Sequence, residues 1–333
     1  MISLHLGVED LGRVRFALSP TWEAVTSLRT LSVGANLGVH GWWLRTVRPA
    51  VGQLDLRLLT AIVRPRGYLP DFLQPLPPRR APSFEAGLAL IAATDPELVA
   101  TELAHLAQHR VAQEGPGRAA RVELLQELVA DPAAGLVRIV AELRRYWTVA
   151  LAPYWPRVRA LLEADLIYRL DQLAIGGVHQ MLDTLHPLIS IHGDTLRVVK
   201  YYDGHADLRQ RGLLLIPCAF AWPDAIVRTA DPQPALSYSP RGLGRLWETP
   251  RARRGSPLAG VIGRTRAVLL AQLDLPMTTT QLAAQFSLSA PTLNVHLKAL
   301  QAAGLLTSHR DGRAVRYTRT DLGERLLTGT EVG

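Results

Sequence analysis

Cysteine and long apolar runs are both scarce in this chain of 333 residues. The single cysteine, Cys218, excludes a disulfide within the chain and favours a reducing compartment. The longest apolar run, Gly212 to Trp222, is interrupted by Pro217 and is too short to cross a bilayer. Because the first ten residues also lack the basic and apolar regions of a signal peptide, we expect a cytoplasmic protein without a membrane segment.

Motifs for catalysis, cofactors and metals are missing as well. No nucleophile motif surrounds His186 or His192, and no glycine-rich phosphate loop is followed by Lys-Ser or Lys-Thr. His105 and His109 stand at i, i+4 near Glu102, a spacing that can bind a metal but that also arises on a solvated helix face. We therefore expect no catalytic, cofactor-binding or metal site.

Basic residues are unevenly distributed along the chain. The net charge is +8, and the stretch from Arg251 to Gly333 contains eleven Lys/Arg against five Asp/Glu. The preceding 250 residues are therefore close to neutral. A basic field confined to one end of a chain is what a polyanion such as double-stranded DNA would bind.

The length of the chain suggests two domains. We predict an α+β fold with a helix-rich N-terminal domain over residues 1–247, a basic linker (ETPRARRGSP) over 248–257, and a C-terminal domain over 258–328. The N-terminal pattern is helical from Ser83 to about Pro187. One long helix is predicted from Pro156 to Leu173, and Gly176-Gly177 should bend or end it.

Beyond Pro187 the apolar period changes to that of short strands. We predict a small, mostly antiparallel sheet with Leu213 to Ile216 at its centre and Ile2 to Leu6 as a candidate to join it. Ser239 to Trp247 is predicted to form a last short helix. The other runs that favour strands are Val14–Ala17, Leu188–His192, Thr195–Tyr201 and Ala225–Thr229.

The segment from Thr278 to Gly304 has the pattern of two short helices joined by a tight turn. Ser289 can cap the second helix, which Ala290-Pro291 opens, and Gly304 is placed to end it in a left-handed conformation. This arrangement is a helix-turn-helix. The leucines that recur at i, i+4, i+7 and predict an inward stripe are Leu293, Leu297 and Leu300.

The helix face opposite that stripe is predicted to enter the major groove of DNA. Thr292 and Asn294 can hydrogen-bond base edges, whereas Val295 can make only apolar contact, for which a thymine methyl is the natural partner. The alternative is that selectivity comes from DNA shape and that Val295 contacts nothing. The predicted DNA contacts on this helix are Ser289, Pro291, Thr292, Asn294, Val295 and Lys298.

A hairpin is predicted directly after this helix. Asp311-Gly312 between two strand-compatible runs is a strong turn signal, because both turn residues need positive φ. Arg310, Arg313 and Arg316 cluster around the turn in sequence, and we predict that they contact phosphates or an adjacent minor groove. The alternative is a charged hairpin that is only solvated.

These residues carry a family resemblance. The sequence LSAPTLNVHLKAL from Leu288, followed by Ala303-Gly304-Leu305-Leu306, Arg310-Asp311-Gly312-Arg313 and Tyr317, resembles the winged helix of ArsR/SmtB-type bacterial repressors. It departs from the family at Val295, where a polar or basic residue is usual. The rest of the chain resembles, more loosely, the long N-terminal region of some actinobacterial members. The thiolates and the C-terminal histidines that bind metal in that family have no counterpart here.

The resemblance implies a transcriptional regulator that binds double-stranded DNA, with repression as the default. We expect a homodimer whose two recognition helices lie one DNA turn apart, about 34 Å, because a single helix reads too few base pairs for genomic selectivity. The alternative is an enzyme that carries the winged helix as an interaction module.

Aromatic residues are concentrated in the N-terminal domain. Such residues can line a pocket for a flat, apolar, small-molecule effector. Core packing or a dimer interface explains them equally well, and both interpretations stay open at this point. The residues concerned are Trp22, Trp42, Trp43, Tyr146, Trp147, Tyr154, Trp155 and Trp222.

Overall fold

The computed structural model describes residues 1–32, 38–200, 202–247, 257–273, 277–286, 288–311 and 314–328. It confirms an α+β fold, in which a helical body and two small sheets precede a winged helix-turn-helix. Within these residues the helices are α1 (Val8–Gly12), α2 (Pro20–Ser32), α3 (Gly41–Val51), α4 (Arg57–Ile62), α5 (Phe84–Ala92), α6 (Pro96–Gln108), α7 (Arg110–Gln113), α8 (Arg118–Ala130), α9 (Pro132–Ala150), α10 (Trp155–Asp183), α11 (Pro257–Ile262), α12 (Arg264–Gln272), α13 (Thr279–Phe286), α14 (Ala290–Ala302) and α15 (Asp321–Thr328). The strands are β1 (Ile2–His5), β2 (Arg15–Phe16), β3 (Ile189–His192), β4 (Thr195–Val198), β5 (Gly204–Asp207), β6 (Leu214–Pro217), β7 (Ile226–Arg228), β8 (Ala235–Tyr238), β9 (Met277–Thr278), β10 (Leu306–Asp311) and β11 (Ala314–Arg319).

Helices α6 and α9 begin where an aspartate satisfies a free backbone N–H group. Asp95 accepts the N–H of Glu97 at 2.9 Å to cap α6, and Asp131 accepts that of Ala134 at 3.1 Å to cap α9. Proline follows both caps in the first helical turn, where its missing N–H costs nothing. Helix α9 contacts α3, α4, α5, α6 and α8, and it is therefore the centre of the helical body.

Helix α10 extends further than the sequence predicts. The expected helix from Pro156 to Leu173 continues to Asp183, and Gly177 interrupts it with a φ of 72°. Only glycine adopts this conformation at little cost, so Gly177 divides α10 into two helical segments that meet at a kink.

Two four-stranded sheets replace the single sheet expected from the sequence. The first has the order β3-β4-β1-β5, and it confirms that β1 joins the strands that follow α10. The second has the order β2-β6-β8-β7, with β6 in the interior as predicted. Because β6 pairs in parallel with both β2 and β8, the expectation of a mostly antiparallel sheet is wrong for this second sheet.

Three segments in this region differ from the sequence prediction for identifiable reasons. Strand β5 contains no large apolar residue, and β8 is buried along its whole length, so neither shows the alternation that marks a half-exposed strand. The helix expected from Ser239 to Trp247 is only a 3-10 turn at Leu243–Arg245. Gly242 precedes that turn with a φ of 80°, a conformation that is incompatible with a continuous helix.

The winged helix lies directly against the helical body. The 3-10 turns at Gly38–His40 and Leu243–Arg245 contact α12 and α13 respectively, and the apolar core is continuous across this boundary. A Cβ at Gly244 would lie 3.0 Å from the ring of Phe286, so glycine permits this close approach. Residues 248–256 of the predicted linker lie outside the described residues, and Pro257 already belongs to α11.

Candidate nucleic-acid interface

The predicted recognition helix is α14, and its start is fixed by a cap. Ser289 Oγ accepts the backbone N–H of Thr292 at 3.3 Å, and Pro291 lies in the first turn. The hydroxyls of Ser289 and Thr292 also share a hydrogen bond of 2.7 Å. The predicted capping role of Ser289 is confirmed, and the cap orients the Thr292 hydroxyl at the start of the helix.

The inward stripe and the end of α14 are also as predicted. Leu293, Leu297 and Leu300 are buried in the core of the winged helix. Gly304 has a φ of 69°, and the N–H of Leu305 donates to the carbonyl of Leu300 at 3.0 Å. This left-handed glycine and backward hydrogen bond form a Schellman cap, so both ends of α14 are defined by local sequence.

The opposite face of α14 is open to solvent. Pro291, Thr292 and Lys298 are exposed, Asn294 is half-buried at the edge, and Val295 is 63 % exposed at the centre. The structure therefore brings the predicted helix contacts together on one accessible surface. An exposed branched apolar side chain at the centre of a helix surface can contribute dispersion and thymine-methyl contact, but no hydrogen bond.

The hairpin after α14 is confirmed as an antiparallel pair, β10 with β11. Its register places Arg310 opposite Val315 and Asp311 opposite Ala314, so Asp311 belongs to strand β10 and is not a turn residue, contrary to the Asp311-Gly312 prediction. Arg310 is exposed near the end of β10. Residues 312 and 313 lie outside the described residues, and the role of Arg313 at the tip stays a prediction.

Arg316 differs from Arg310 in its position on the hairpin. It is paired with His309, two residues further from the turn than the Asp311–Ala314 pair, and its Nη1 donates to the carbonyl oxygen of Pro187 at 3.4 Å. Pro187 belongs to the turn after α10. Because alternate strand positions face opposite sides, Arg310 and Arg316 lie on opposite faces of the hairpin. The predicted DNA contact of Arg316 stays a prediction.

Two polar contacts that orient the interface were not found from the sequence. Gln301 Nε2 donates to Ser308 Oγ at 2.8 Å and ties the end of α14 to the first strand of the wing. Arg319 Nη1 donates to the carbonyl of Leu270 at 3.0 Å at the end of α12, and its Nη2 is paired with Glu324 at 2.6 Å. The contact of Arg319 with Leu270 joins positions 49 residues apart, which no local pattern indicates.

His105, His109 and Glu102, whose spacing in the sequence can bind a metal, contact other groups in the structure. The ring of Tyr68 meets that of His105 edge-on, with centroids 4.7 Å apart, and lies 6.0 Å from that of His109. Glu102 Oε2 accepts the backbone N–H of Phe72 at 3.0 Å. Among the described residues, no group of three or more His, Cys, Asp or Glu side chains is arranged to hold a metal ion.

Several of the aromatic residues meet at the boundary with the winged helix. We call the group formed by His40, Trp42, Trp43, Phe220 and Trp247 the junction cluster. His40 stacks on Phe220 with ring centroids 4.4 Å apart, and Trp247 stacks on Trp42 at 5.8 Å. The cluster adjoins both 3-10 turns that contact the winged helix. The sequence interpretation places Trp247 at the end of a predicted helix and does not include it among the aromatics that could line a pocket.

Hydrogen bonds run through the junction cluster in a fixed direction. Trp247 Nε1 donates to His40 Nδ1 at 3.0 Å, which leaves the proton on Nε2, 3.0 Å from the carbonyl oxygen of Ala219. Burial lowers the pKa of His40 to about 3 and therefore keeps the ring neutral. Beside it, Glu23 accepts the N–H groups of Ala219 at 2.7 Å and Phe220 at 3.1 Å, and burial raises the pKa of Glu23 to about 7.

In the part of the chain that the structure describes, no helix combines the length and the apolar character needed to cross a membrane.

Comparison with protein families assigns two parts of the chain. Residues 264–309 match the model of a helix-turn-helix domain, and residues 92–241 match a family of unknown function (DUF5937). Comparisons with curated proteins and with solved structures gave no significant match. The first match covers α12 to the beginning of the wing and contains the whole outward face of α14. The chain is therefore a DNA-binding transcriptional regulator whose C-terminal helix-turn-helix is of the ArsR type.

Proposed function

We propose that this regulator is a homodimeric repressor of a two-fold symmetric operator, read by α14 of each copy. The observation that supports this proposal best is the outward face of α14. A helix with a defined start and end presents Thr292, Val295 and Lys298 to solvent, while its leucines anchor it to the core. Such a helix fits the major groove, and its N-terminal residues would lie nearest the base edges.

We further propose that a small, non-metal effector bound in the N-terminal region releases the DNA. The junction cluster supports this part, because it is packed in the helical body and adjoins the turns that contact α12 and α13. A ligand that displaced Trp247 or Phe220 would change the surface against which the winged helix lies. Effector binding and DNA binding would be coupled if the ligand bound with different affinities to the arrangements of the winged helix with and without DNA.

Titration of the full chain against DNA fragments that include its own promoter tests the proposal. We expect saturable, sequence-selective binding that weakens steeply as salt rises, with a footprint of two half-sites about 34 Å apart or a multiple of that distance. Binding that ignores sequence, together with turnover of a metabolite, would instead support an enzyme that uses the winged helix for interaction.

The central valine gives a test of how bases are read. We expect Val295→Ala to relax preference at one or two thymine positions per half-site by about 1 kcal/mol or less, because only a methyl contact is lost. Nonspecific affinity should be unchanged. The measurement is binding to a library of operator variants, with Val137→Ala as control, since Val137 is 71 % exposed on α9 outside the interface. A Val295→Ala profile identical to that of the parent would mean that this face does not read sequence.

The wing arginines give a test of backbone contact. Arg310→Ala and Arg313→Ala should each weaken binding to all DNA sequences alike and reduce the slope of log affinity against log salt by about one. Arg57→Ala removes the same charge from α4, where Arg57 is paired with Asp55 at 3.0 Å, and should leave the slope unchanged. Wing variants with the parent's salt slope would assign these arginines to solvent.

A further inference from the structure

Glu23 places a carboxyl group in the core of the N-terminal body. It lies in the first turn of α2 and is 0 % exposed. Its Oε1 accepts the backbone N–H of Ala219 at 2.7 Å, and its Oε2 accepts that of Phe220 at 3.1 Å and the thiol of Cys218 at 3.2 Å. In the part of the chain that the structure describes, no ion pair involves Glu23. A buried carboxylate without a countercharge is unfavourable, and binding a proton removes that cost.

The segment that Glu23 holds also carries part of the junction cluster. The carbonyl oxygen of Ala219 lies 3.0 Å from His40 Nε2, and the ring of Phe220 stacks on that of His40. His40 in turn accepts the hydrogen bond from Trp247. His40 ends the 3-10 turn that contacts α12, and Trp247 follows the one that contacts α13. Movement of residues 218–220 away from α2 would therefore change the surface against which the winged helix lies.

Glu23 is the group in this region that titrates near neutral pH. Burial lowers the pKa of His40 to about 3, raises that of Cys218 and raises that of Tyr146 on α9, whose hydroxyl shares a hydrogen bond of 2.6 Å with Ser27. The elements packed most closely against α2 are α5, α9 and the 3-10 turns Ala219–Ala221 and Asp71–Leu73. Their charged side chains have other contacts or are exposed: Glu85 pairs with Arg144, Asp71 pairs with Arg228, Glu142 accepts the N–H groups of Leu58 and Leu59, Arg138 and Arg145 are exposed, and Arg29 of α2 itself donates to the carbonyl of Gly67.

We propose that Glu23 makes the junction between the N-terminal body and the winged helix sensitive to pH. The closed junction keeps a proton on Glu23, and loss of that proton favours an open junction in which residues 218–220 leave α2 and water reaches the carboxylate. This inference deepens the proposed regulation at the junction cluster. It rests on the proposed function only in that the closed arrangement is taken as the one that binds DNA.

The direction of the pH dependence follows from where Glu23 is buried. In the closed junction, burial outweighs the hydrogen bonds from Ala219, Cys218 and Phe220 and raises the pKa of Glu23 to about 7. In the open junction, water would return the pKa towards its ordinary value of 4.5. The closed junction therefore binds the proton more tightly, and its advantage is lost as the pH rises through about 7. With these two pKa values, the ratio of open to closed junction rises about ten-fold between pH 6 and pH 8.

Hydrogen exchange of backbone amides at pH 6 and pH 8, measured by mass spectrometry on the full chain without DNA, tests the inference. After correction for the intrinsic exchange rate at each pH, protection of residues 218–222 should fall about ten-fold from pH 6 to pH 8. Protection of α12 and α13 should fall by about two-fold or more, because both lie against the junction. Glu23→Gln has no carboxyl proton to lose, so its protection should be the same at both pH values.

Glu142→Gln is the matched control. Glu142 is also buried, at 5 % exposure, and accepts two backbone N–H groups, from Leu58 at 3.3 Å and Leu59 at 3.0 Å. Those partners belong to α4 and not to the junction cluster. Glu142→Gln should therefore keep the parent's pH dependence in residues 218–222.

The possible results separate this inference from the proposed function. Protection of residues 218–222 that is equal at both pH values, or that falls as much in Glu23→Gln as in the parent, would overturn the inference. A fall confined to those residues and absent from α12 and α13 would overturn it too. The expected exchange results in a chain that binds no specific DNA at either pH would support the inference and overturn the proposed operator.

A second variant replaces Glu23→Gln if that variant fails to fold, as judged by circular dichroism. Cys218→Ser gives Glu23 a stronger hydrogen-bond donor than the thiol, which stabilises the carboxylate and lowers the pKa of Glu23. The pH at which protection of residues 218–222 falls should then shift downward. An unchanged midpoint in Cys218→Ser would overturn the inference.

Discussion

Replacing Arg169 by methionine should lower the free energy of unfolding by about 3–5 kcal/mol, because it leaves a buried carboxylate without its countercharge. Asp165 and Arg169 are each 1 % exposed, with Arg169 Nε 3.5 Å from Asp165 Oδ1. The carboxylate also accepts the Tyr238 hydroxyl and the backbone N–H of Arg241, both at 2.8 Å. The pair thus attaches α10 to the segment that contains β8.

The Asp165–Arg169 ion pair contributes less to the free energy of unfolding than is lost when one of its two partners is removed. Taking two charges out of water is unfavourable, and mutual attraction only offsets that penalty. The double variant Asp165→Asn/Arg169→Met keeps an acceptor for Tyr238 but no buried charge, so we expect it to be more stable than Arg169→Met alone. Chemical denaturation followed by circular dichroism measures the free energy of unfolding of both variants.

An exposed arginine on the same helix is the control for this prediction. Arg159 is paired with Glu163 at 2.9 Å, and both side chains are accessible to water. Arg159→Met should cost about 0.5 kcal/mol or less, the usual value of such a pair on a helix surface. Equal destabilisation by Arg159→Met and Arg169→Met would show that the buried pair has no special role.

The parts of the fold that could be predicted from sequence are those that depend on neighbours in the chain. The cap at Ser289, the left-handed glycine at Gly304 and the bend at Gly177 follow from which residues satisfy free backbone groups or tolerate positive φ. The inward and outward faces of α14 follow from the helical period. For the candidate interface, this local information was sufficient to define the helix and its exposed surface.

The parts that could not be predicted depend on contacts between distant segments. The parallel pairing of β6 with β8 is not visible in either strand, because strands buried on both faces lose their alternation. Arg316 is adjacent to the wing turn in sequence, yet its partner Pro187 is 129 residues away. Likewise, nothing near Trp247 indicates that its hydrogen-bond partner is His40.

Replacing Trp247 by alanine should lower the free energy of unfolding by about 3–5 kcal/mol, as expected for a large core side chain. Trp247 is 4 % exposed and contacts the rings of Trp42, Trp43 and Phe220. Trp155→Ala is the control, because Trp155 is only partly buried and its ring contact is with Trp147, outside the junction cluster. Trp155→Ala should lower the free energy of unfolding by less than Trp247→Ala does.

Trp247→Phe separates the hydrogen bond of this side chain from its packing. Phenylalanine fills much of the same space but cannot donate to His40 Nδ1, which leaves a buried nitrogen without its donor at a cost of about 1–3 kcal/mol. Since burial keeps His40 neutral, protonation of that nitrogen does not relieve the loss near neutral pH. We therefore expect Trp247→Phe to lie between the parent and Trp247→Ala in denaturant unfolding. A Trp247→Phe variant as stable as the parent would mean that the junction cluster is held by ring packing alone.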